Sequence, residues 1–248
     1  MIVIPMAGLS SRFKKAGYDK PKYMLEAHGK TLFSHSVGSF HKYFDSDKFL
    51  FIALNSEDIH RFIYSECINL GIKDFDIVTL DNPTLGQAQT VFQGLMFAKV
   101  AMEEKLLIFN IDTIRPNFTY PDNFDVTEID GYLETFVGEG NNWSNVLPEN
   151  EKNFTVKLTA EKKEISKYCC TGIYFWRYAK DFIRVFTDYQ CLLPQDLDAG
   201  EYYIAPMFNT LIDEGCDIRY SVISNNDVIF CGIPSEYEDF KSSMPYHD

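Results

Sequence analysis

Long apolar runs, basic residues and paired cysteines are all scarce in this chain, and each shortage excludes a class of protein. No stretch approaches the ~20 apolar residues that a membrane-spanning helix needs. The chain has 23 basic and 36 acidic residues, a net charge of −13, which argues against a nucleic-acid partner because binding one needs a broad basic face. The six cysteines include no C-x-x-C pair, so we expect reduced, mostly buried thiols rather than a zinc site.

The length of 248 residues is enough for one sizeable core. We expect a single domain over residues 1–248, with a first half at 1–115 and a second half at 116–248. The first apolar run stops at Pro5 and follows no charged region, so it predicts a strand and not a signal peptide. We therefore expect a cytoplasmic protein with no membrane partner, and the sequence leaves open whether it forms a homo-oligomer.

Positive charge is concentrated in the first 30 residues, which contain six basic and two acidic side chains, a local charge of +4. The basic residues are Arg12, Lys14, Lys15, Lys20, Lys22 and Lys30. They follow a small-residue turn, and the backbone N–H groups of a turn together with a guanidinium suit a polyphosphate. We expect an anionic ligand here; the alternative is an ordinary loop with solvated lysines.

Strand and helix patterns alternate over the first 112 residues. The predicted strands are Ile2–Pro5, Phe49–Leu54, Asp76–Leu80 and Leu106–Asn110, and the predicted helices are Thr31–Tyr43, a helix capped by Ser56 that reaches Leu70, and Gln87–Ala101. This alternation predicts an α/β fold with a Rossmann-like, mixed, mainly parallel sheet and helices on both faces. Ligands of such sheets bind at the carboxyl ends of the strands, so the turn Ala7–Arg12 and Asp112 should share one rim.

The second half has a different pattern, in which short strands precede two helices. The predicted strands are Gly131–Val137, Val146–Leu147, Thr155–Leu158, Thr171–Trp176 and Ile218–Val222, and the helices are Ala179–Tyr189 and Tyr202–Glu214. We expect a small mixed β region against the first half.

The segment Ala7–Phe13 (A-G-L-S-S-R-F), followed by Pro21-Lys22, resembles the signature loop of the sugar-phosphate nucleotidyltransferases and the related cytidylyltransferases. Their pattern is G-x-G-[ST]-R and then, after about ten residues, P-K. The resemblance implies a GT-A-like fold and transfer of NMP from an NTP to a phosphorylated acceptor. It makes residues 1–115 the nucleotide-binding half and residues 116–248 the acceptor-binding half. It implies that Arg12 holds the β- and γ-phosphates and Lys22 the α-phosphate. The implied loop contacts are Ala7, Gly8, Ser10 and Ser11.

Ser10 stands where the family has its second glycine. A side chain there either hinders close approach of the backbone to the phosphates or donates its hydroxyl to them.

By the same resemblance, Asp112 is the aspartate that holds Mg²⁺, a role that suits a hard oxygen ligand. The alternative is a strand-end aspartate that caps a turn. The late segment 225–234 resembles the family's closing W-x-D-x-G-T-P, but Phe230 stands where a second metal-binding aspartate is usual. The nearby acid is Asp227, which substitutes only if its strand is bulged or shifted.

The segment Leu85–Thr90 resembles the family's base-binding segment. Gly86 would let the main chain approach a base edge, and Asp81 or Gln87 would form hydrogen bonds to it. An ordinary glycine turn explains the pattern equally well, and the choice among CTP, UTP and dTTP stays open.

The segment Thr159–Lys162, with Thr171–Phe175 downstream, resembles the family's acceptor-binding block. There Glu161 faces acceptor hydroxyls, Lys162 faces the acceptor phosphate, and Gly172 belongs to the block. The alternative is a solvated hairpin tip. The stretch Glu201–Pro206 resembles the one that supports the acceptor pocket, with most of its aromatic side chains in the core.

These resemblances imply an enzyme that releases pyrophosphate, with a sugar 1-phosphate for surface polysaccharide as the leading acceptor. CTP-dependent activation of a non-sugar phosphate such as phosphocholine is the close competitor. A nucleotide-sensing domain without turnover is a third possibility. Glycosyl transfer from an NDP-sugar would ordinarily show D-x-D, and Asn110-Ile111-Asp112 has only its second half.

Overall fold

The computed structural model of the protein describes residues 1–197 and 200–244. The strands are β1 (Ile2–Met6), β2 (Glu26–Ala27), β3 (Lys30–Thr31), β4 (Lys48–Leu54), β5 (Asp74–Leu80), β6 (Leu106–Phe109), β7 (Thr113–Ile114), β8 (Gly131–Val137), β9 (Ser144–Asn150), β10 (Thr155–Glu161), β11 (Tyr168–Trp176), β12 (Ile218–Ile223) and β13 (Ile229–Phe230). The helices are α1 (Ser11–Lys15), α2 (Leu32–Gly38), α3 (Ile59–Leu70), α4 (Gln87–Phe97), α5 (Ala179–Tyr189), α6 (Phe208–Asp213) and α7 (Pro234–Ser242).

In the described residues, nine strands form one mixed sheet in the order β5-β4-β1-β6-β11-β8-β12-β10-β9. The strands β5, β4, β1 and β6 are parallel, as the alternating pattern predicts. Strand β11 then runs antiparallel to both β6 and β8. One sheet therefore passes from the first half of the chain into the second, and the predicted α/β class with a mixed sheet is confirmed.

Side chains of β1 alternate between two buried clusters on opposite faces of the sheet. Ile2 and Ile4 pack with residues of α2 and α3, whereas Val3 packs with residues of α4, α5 and α6. Burial on both faces explains why β1 is a continuous apolar run rather than an alternating one. The prediction of helices on both faces is confirmed.

Several predicted helix ends are wrong. The helix predicted to be capped by Ser56 is α3, and it begins only at Ile59. Residues 56–59 form a turn instead, in which the Ile59 N–H donates to the Ser56 carbonyl. The first predicted helix, 31–43, stops at Gly38 and is followed by a separate 3-10 turn at 41–43. The helix predicted to end at Ala101 ends at Phe97.

The helix predicted for 202–214 begins only at Phe208, after a 3-10 turn at 205–207. Its first residues are not helical because the backbone of Tyr202 is hydrogen-bonded to another segment: its N–H donates to Leu85 and its carbonyl accepts from Ala88. Helix α7, which starts with Pro234, was not predicted.

Candidate active site

Two neighbouring cavities lie along the carboxyl ends of the parallel strands. The first, of about 510 Å³, is bounded by the loop after β1 and the loop after β5. The second, of about 460 Å³, is bounded by strands of the second half and by the start of α7. Four residues line both cavities: Gln87, Asn110, Asp112 and Tyr203. The chain therefore offers two adjoining compartments with Asp112 between them.

The loop after β1 forms one wall of the first cavity, with Ala7, Gly8 and Ser11 lining it. Ser10 has φ 51° and ψ 35°, the left-handed conformation that glycine adopts at least cost. Its hydroxyl oxygen accepts a hydrogen bond from the backbone N–H of Lys22 at 3.2 Å. Ser10 thus ties the signature loop to the Pro21-Lys22 segment.

Lys22 and Asp112 form an ion pair, with 2.5 Å between the ammonium nitrogen and a carboxylate oxygen. Burial by itself raises the pKa of the Asp112 carboxyl, but the charge of Lys22 and its hydrogen bond more than offset this, so the pKa lies below its ordinary value. Asp112 is therefore a carboxylate at neutral pH, available as an oxygen ligand. The predicted shared rim exists, and its two charged groups are in direct contact.

Arg12 is exposed and lines the second cavity rather than the first. Its charge helps to lower the pKa of Asp112. The sequence did not indicate this placement, because the signature pattern fixes the position of Arg12 in the chain and not the cavity that its side chain lines.

The loop after β5 forms the opposite wall of the first cavity, and Gly86 and Gln87 line it. The Gln87 amide donates a hydrogen bond to the side-chain oxygen of Asn110. Asp81 is exposed, lies outside both cavities and accepts a hydrogen bond from Asn55 at 3.1 Å. Asp81 and Gln87 were the two candidates for hydrogen bonds to the base, and of these only Gln87 lines the first cavity.

Glu161, Lys162 and Gly172 all line the second cavity. Glu161 is 6% exposed and accepts a hydrogen bond from Ser144. Gly172 has φ 99°, and a Cβ there would lie 2.7 Å from the Asn110 side chain. Glycine is therefore needed at 172, where β11 changes register against β8.

The late segment lies beside Asp112: the Cys231 N–H donates to the Asp112 carbonyl at 2.8 Å, and β13 pairs with β7. Phe230 lines the second cavity, and its ring packs on Trp143 with 4.5 Å between centroids. Asp227 is exposed and lines neither cavity. The segment thus places an aromatic side chain, and not Asp227, against the cavity.

Several residues that line the second cavity were not predicted as site residues, among them Trp143, Tyr203 and Glu236. Tyr203 belongs to a stretch whose aromatics were expected mostly in the core; Tyr202 is there, at 5% exposure, but Tyr203 is not. The carboxylate of Glu236 accepts hydrogen bonds from the N–H groups of Gly232 and Ile233. A proline-started helix with glutamate in its first turn was the available signal for Glu236.

Comparison with solved structures shows what this arrangement is similar to. The nucleoside-diphosphate-sugar pyrophosphorylase from Vibrio cholerae RC9 is 48% identical, with a TM-score of 0.92, over 98% of this chain and 100% of that one. The chain belongs to the sugar-phosphate nucleotidyltransferase family. It is an enzyme of the nucleotidyltransferase, or pyrophosphorylase, type.

More distant nucleotidyltransferases share the fold. The inositol-1-phosphate CTP transferase from T. maritima has a TM-score of 0.73 at 16% identity, over 97% of this chain and 94% of that one. A UDP-glucose pyrophosphorylase in complex with UDP-glucose has a TM-score of 0.74 at 14% identity, over 97% and 96% of the two chains. Neither a scan against protein-family models nor a search of curated proteins gave a match.

For this nucleotidyltransferase, the residues that the structure describes contain no helix long and apolar enough to cross a bilayer. They also contain no group of three or more histidine, cysteine, aspartate or glutamate side chains arranged around one metal position.

Proposed function

We propose that this nucleotidyltransferase binds an NTP in the first cavity and a phosphorylated acceptor in the second, with the reaction at Asp112 between them. The supporting observation is that a lysine lines each compartment beside this junction: Lys22 in the first and Lys162 in the second. A binder of one nucleotide has no need of cations in two adjoining cavities. This argues against a sensing domain without turnover.

In the proposed reaction an oxygen of the acceptor phosphate attacks the α-phosphorus of the NTP. The bond from that phosphorus to the bridging oxygen breaks, and pyrophosphate leaves with its electron pair. No covalent enzyme intermediate is needed, so the enzyme acts by positioning and by neutralising charge. Lys22 holds the α-phosphate in the first cavity, and Lys162 holds the acceptor phosphate in the second. Arg12, which lines the second cavity next to the loop Gly8–Ser11, holds the β- and γ-phosphates where they extend beyond that loop.

The donor set fits Mg²⁺ through one protein ligand. Asp112 provides an ionised oxygen ligand at the junction, and Mg²⁺ ordinarily completes its shell with waters and substrate phosphates. Asp112 would hold the ion, which when bound would neutralise phosphate charge. Asp227 is not part of this proposal, because its exposed position lies outside both cavities.

The leading acceptor is a sugar 1-phosphate for surface polysaccharide, with Glu161 hydrogen-bonded to its hydroxyls. One observation supports the competitor, CTP-dependent activation of a phosphocholine-like compound. The aromatic pair Trp143 and Phe230 stands on the wall of the second cavity with the carboxylate of Glu236 nearby. Aromatic faces and carboxylates attract a quaternary ammonium group.

A substrate panel decides between these acceptors. CTP, UTP and dTTP are each combined with sugar 1-phosphates, inositol 1-phosphate and phosphocholine in the presence of Mg²⁺, and pyrophosphate release is measured. We expect one pair to exceed the others by at least ~10-fold in kcat/KM, because matched hydrogen bonds to a substrate are lost with an analogue. Nucleotide binding without pyrophosphate release for any pair would favour the sensing domain.

Lys22→Ala and Arg12→Ala test the phosphate contacts. Each should lower kcat/KM by about 10²–10³-fold, the loss typical of one transition-state donor. Lys20→Ala is the matched control, because Lys20 is an exposed lysine of the same segment that lines neither cavity. Unchanged pyrophosphate release by Lys22→Ala would remove Lys22 from the mechanism.

A further inference from the structure

The Lys162 side chain is flexible, because its four methylene groups let the ammonium group take many positions. A contact with another residue is therefore needed to fix the ammonium group in one of them. The backbone of Lys162 is fixed: it has φ 51°, uncommon for a residue with a side chain, and its N–H donates to the Trp143 carbonyl at 3.0 Å. The position of the ammonium group depends on what it contacts beyond this fixed point.

The ammonium donates a hydrogen bond to the hydroxyl oxygen of Tyr203 and lies 4.7 Å from the centroid of that ring. The hydrogen bond places the ammonium at the hydroxyl end of the ring. The hydroxyl, more than the aromatic face, therefore fixes its position. Tyr203 is half-buried and lines both cavities, so this contact lies at their junction.

The backbone beside Tyr203 is attached to the loop of the first cavity. The Tyr202 N–H donates to the Leu85 carbonyl at 2.8 Å, and the Tyr202 carbonyl accepts from the Ala88 N–H at 2.9 Å. The approach is so close that a Cβ on Gly86 would lie 2.5 Å from backbone atoms of Tyr202. Tyr202 is also anchored through its hydroxyl, which donates to the carbonyls of Gln190 and Leu192. Tyr203 thus extends from a rigid support into the site.

We propose that Tyr203 is a positioning residue, whose hydroxyl holds the Lys162 ammonium where the acceptor phosphate binds. This inference rests on the proposed role of Lys162 at that phosphate. Burial, with a smaller contribution from Glu201, raises the pKa of Tyr203 above its ordinary value. The hydroxyl therefore stays neutral at working pH and accepts from the ammonium without neutralising it.

A double-mutant cycle on Tyr203→Phe and Lys162→Met tests this. Tyr203→Phe keeps the ring and removes only the hydroxyl, and we expect a fall of about 10- to 100-fold in kcat/KM for the acceptor, as for loss of a hydrogen bond to a charged group. In the Lys162→Met background the same change should lower kcat/KM by less than ~2-fold. Equal losses in both backgrounds would overturn the proposal, since Tyr203 would then act independently of Lys162.

Tyr178→Phe is the matched control. The Lys180 ammonium lies 4.7 Å from the Tyr178 ring centroid, the same separation as at the site, yet Tyr178 lines neither cavity. We expect unchanged kcat/KM in this variant, and thermal melting of Tyr203→Phe within about 2 °C of the parent. A melting temperature of Tyr203→Phe lowered enough to explain its activity loss would overturn the positioning role.

A measurement that does not depend on enzyme activity can test this inference separately from the proposed function. The ¹⁵Nζ signal of Lys162 in a lysine-labelled sample, assigned by its loss in Lys162→Met, should show slow ammonium exchange in the parent and fast exchange in Tyr203→Phe. Fast exchange in both would overturn the inference even if the enzyme is active. Full activity of Lys162→Met on every acceptor would instead overturn the proposed role of Lys162, whatever the exchange rates show.

Discussion

At the scale of single residues, Ser10 shows how a departure from the family pattern is accommodated. Serine takes the left-handed conformation of the usual glycine, which costs roughly 1 kcal/mol or more for a residue with a Cβ. In exchange its hydroxyl holds the backbone of Lys22. The sequence left two roles open for this side chain, hindering the phosphates or donating to them. The geometry supports a third, fixing the neighbouring segment.

Ser10→Ala and Ser10→Gly should separate strain from hydrogen bonding. Ser10→Ala keeps the strain and loses the acceptor for Lys22, so we expect the free energy of unfolding to fall by about 1 kcal/mol. Ser10→Gly loses the same bond but relieves the strain, so its stability should stay near that of the parent. Both should lower kcat/KM severalfold, because Lys22 is less well held. Urea unfolding and pyrophosphate release measure the two effects; equal stabilities of the variants would contradict this account.

At the scale of elements, a buried ion pair fixes the segment after β7 to the large sheet. Arg115 follows β7, and its Nε lies 3.1 Å from the carboxylate of Glu134 on β8, a residue only 2% exposed. Thr171 on β11 donates to the same oxygen at 3.0 Å. Burial raises the pKa of Glu134 above its ordinary value, although Arg115 opposes the shift. Since β7 follows Asp112 directly, this pair helps to fix the junction between the cavities.

Arg115→Met should leave Glu134 buried without its cation. We expect a loss of about 3–5 kcal/mol in the free energy of unfolding near neutral pH. An acid whose pKa is raised in the folded state lowers the free energy of unfolding once the pH rises above the pKa that the acid has in the unfolded chain. For Glu134 this unfolded-state pKa is 4.5. The loss in free energy of unfolding of Arg115→Met relative to the parent should therefore be larger at about pH 7.5 than at about pH 5.

Urea unfolding at the two pH values measures this difference. Arg177→Met is the control, because Arg177 and Asp130 are 3.9 Å apart and more exposed, and less than ~1 kcal/mol is expected. A pH-independent loss in Arg115→Met would show that packing, not charge, dominates.

At the scale of the whole molecule, an acidic protein presents one basic region to an anionic substrate. The first 30 residues have a charge of +4 in a chain of −13. Lys14, Lys15 and Lys20 are exposed and line neither cavity, so their contribution is long-range attraction rather than contact. Such a local field raises the association rate of an oppositely charged ligand and is screened by salt.

The double variant Lys14→Glu with Lys15→Glu removes the excess of positive charge in the first 30 residues. We expect KM for the NTP to rise several-fold at about 20 mM salt and to approach the parent value at about 0.5 M, where charges are screened within a few ångströms. Lys99→Glu with Lys152→Glu makes the same change in net charge at exposed sites elsewhere and should have little effect. If both double variants raise KM equally, total charge rather than its location is responsible.

The sequence by itself determined the order of strands and helices in the first half and the two loops that bound the first cavity. These depend on short-range properties: apolar periodicity defines β1, β4, β5 and β6, and a fixed spacing connects the signature loop to Lys22. The family resemblance identified four further candidate site residues, and each of them lines one of the two cavities: Gly86, Glu161, Lys162 and Gly172. The division into two halves at residue 115 stays a prediction.

Only the tertiary structure decided the contacts between segments distant in the chain. Tyr203 contacts Lys162, Phe230 packs on Trp143, and Arg12 lines the second cavity, because the assembled sheet brings the segments that carry these residues to one rim. The start of α6 was likewise decided by hydrogen bonds from Tyr202 to a distant loop. Local propensity acts over a few residues, whereas a side chain's partner depends on how the whole sheet assembles, and no spacing in the sequence encodes that directly.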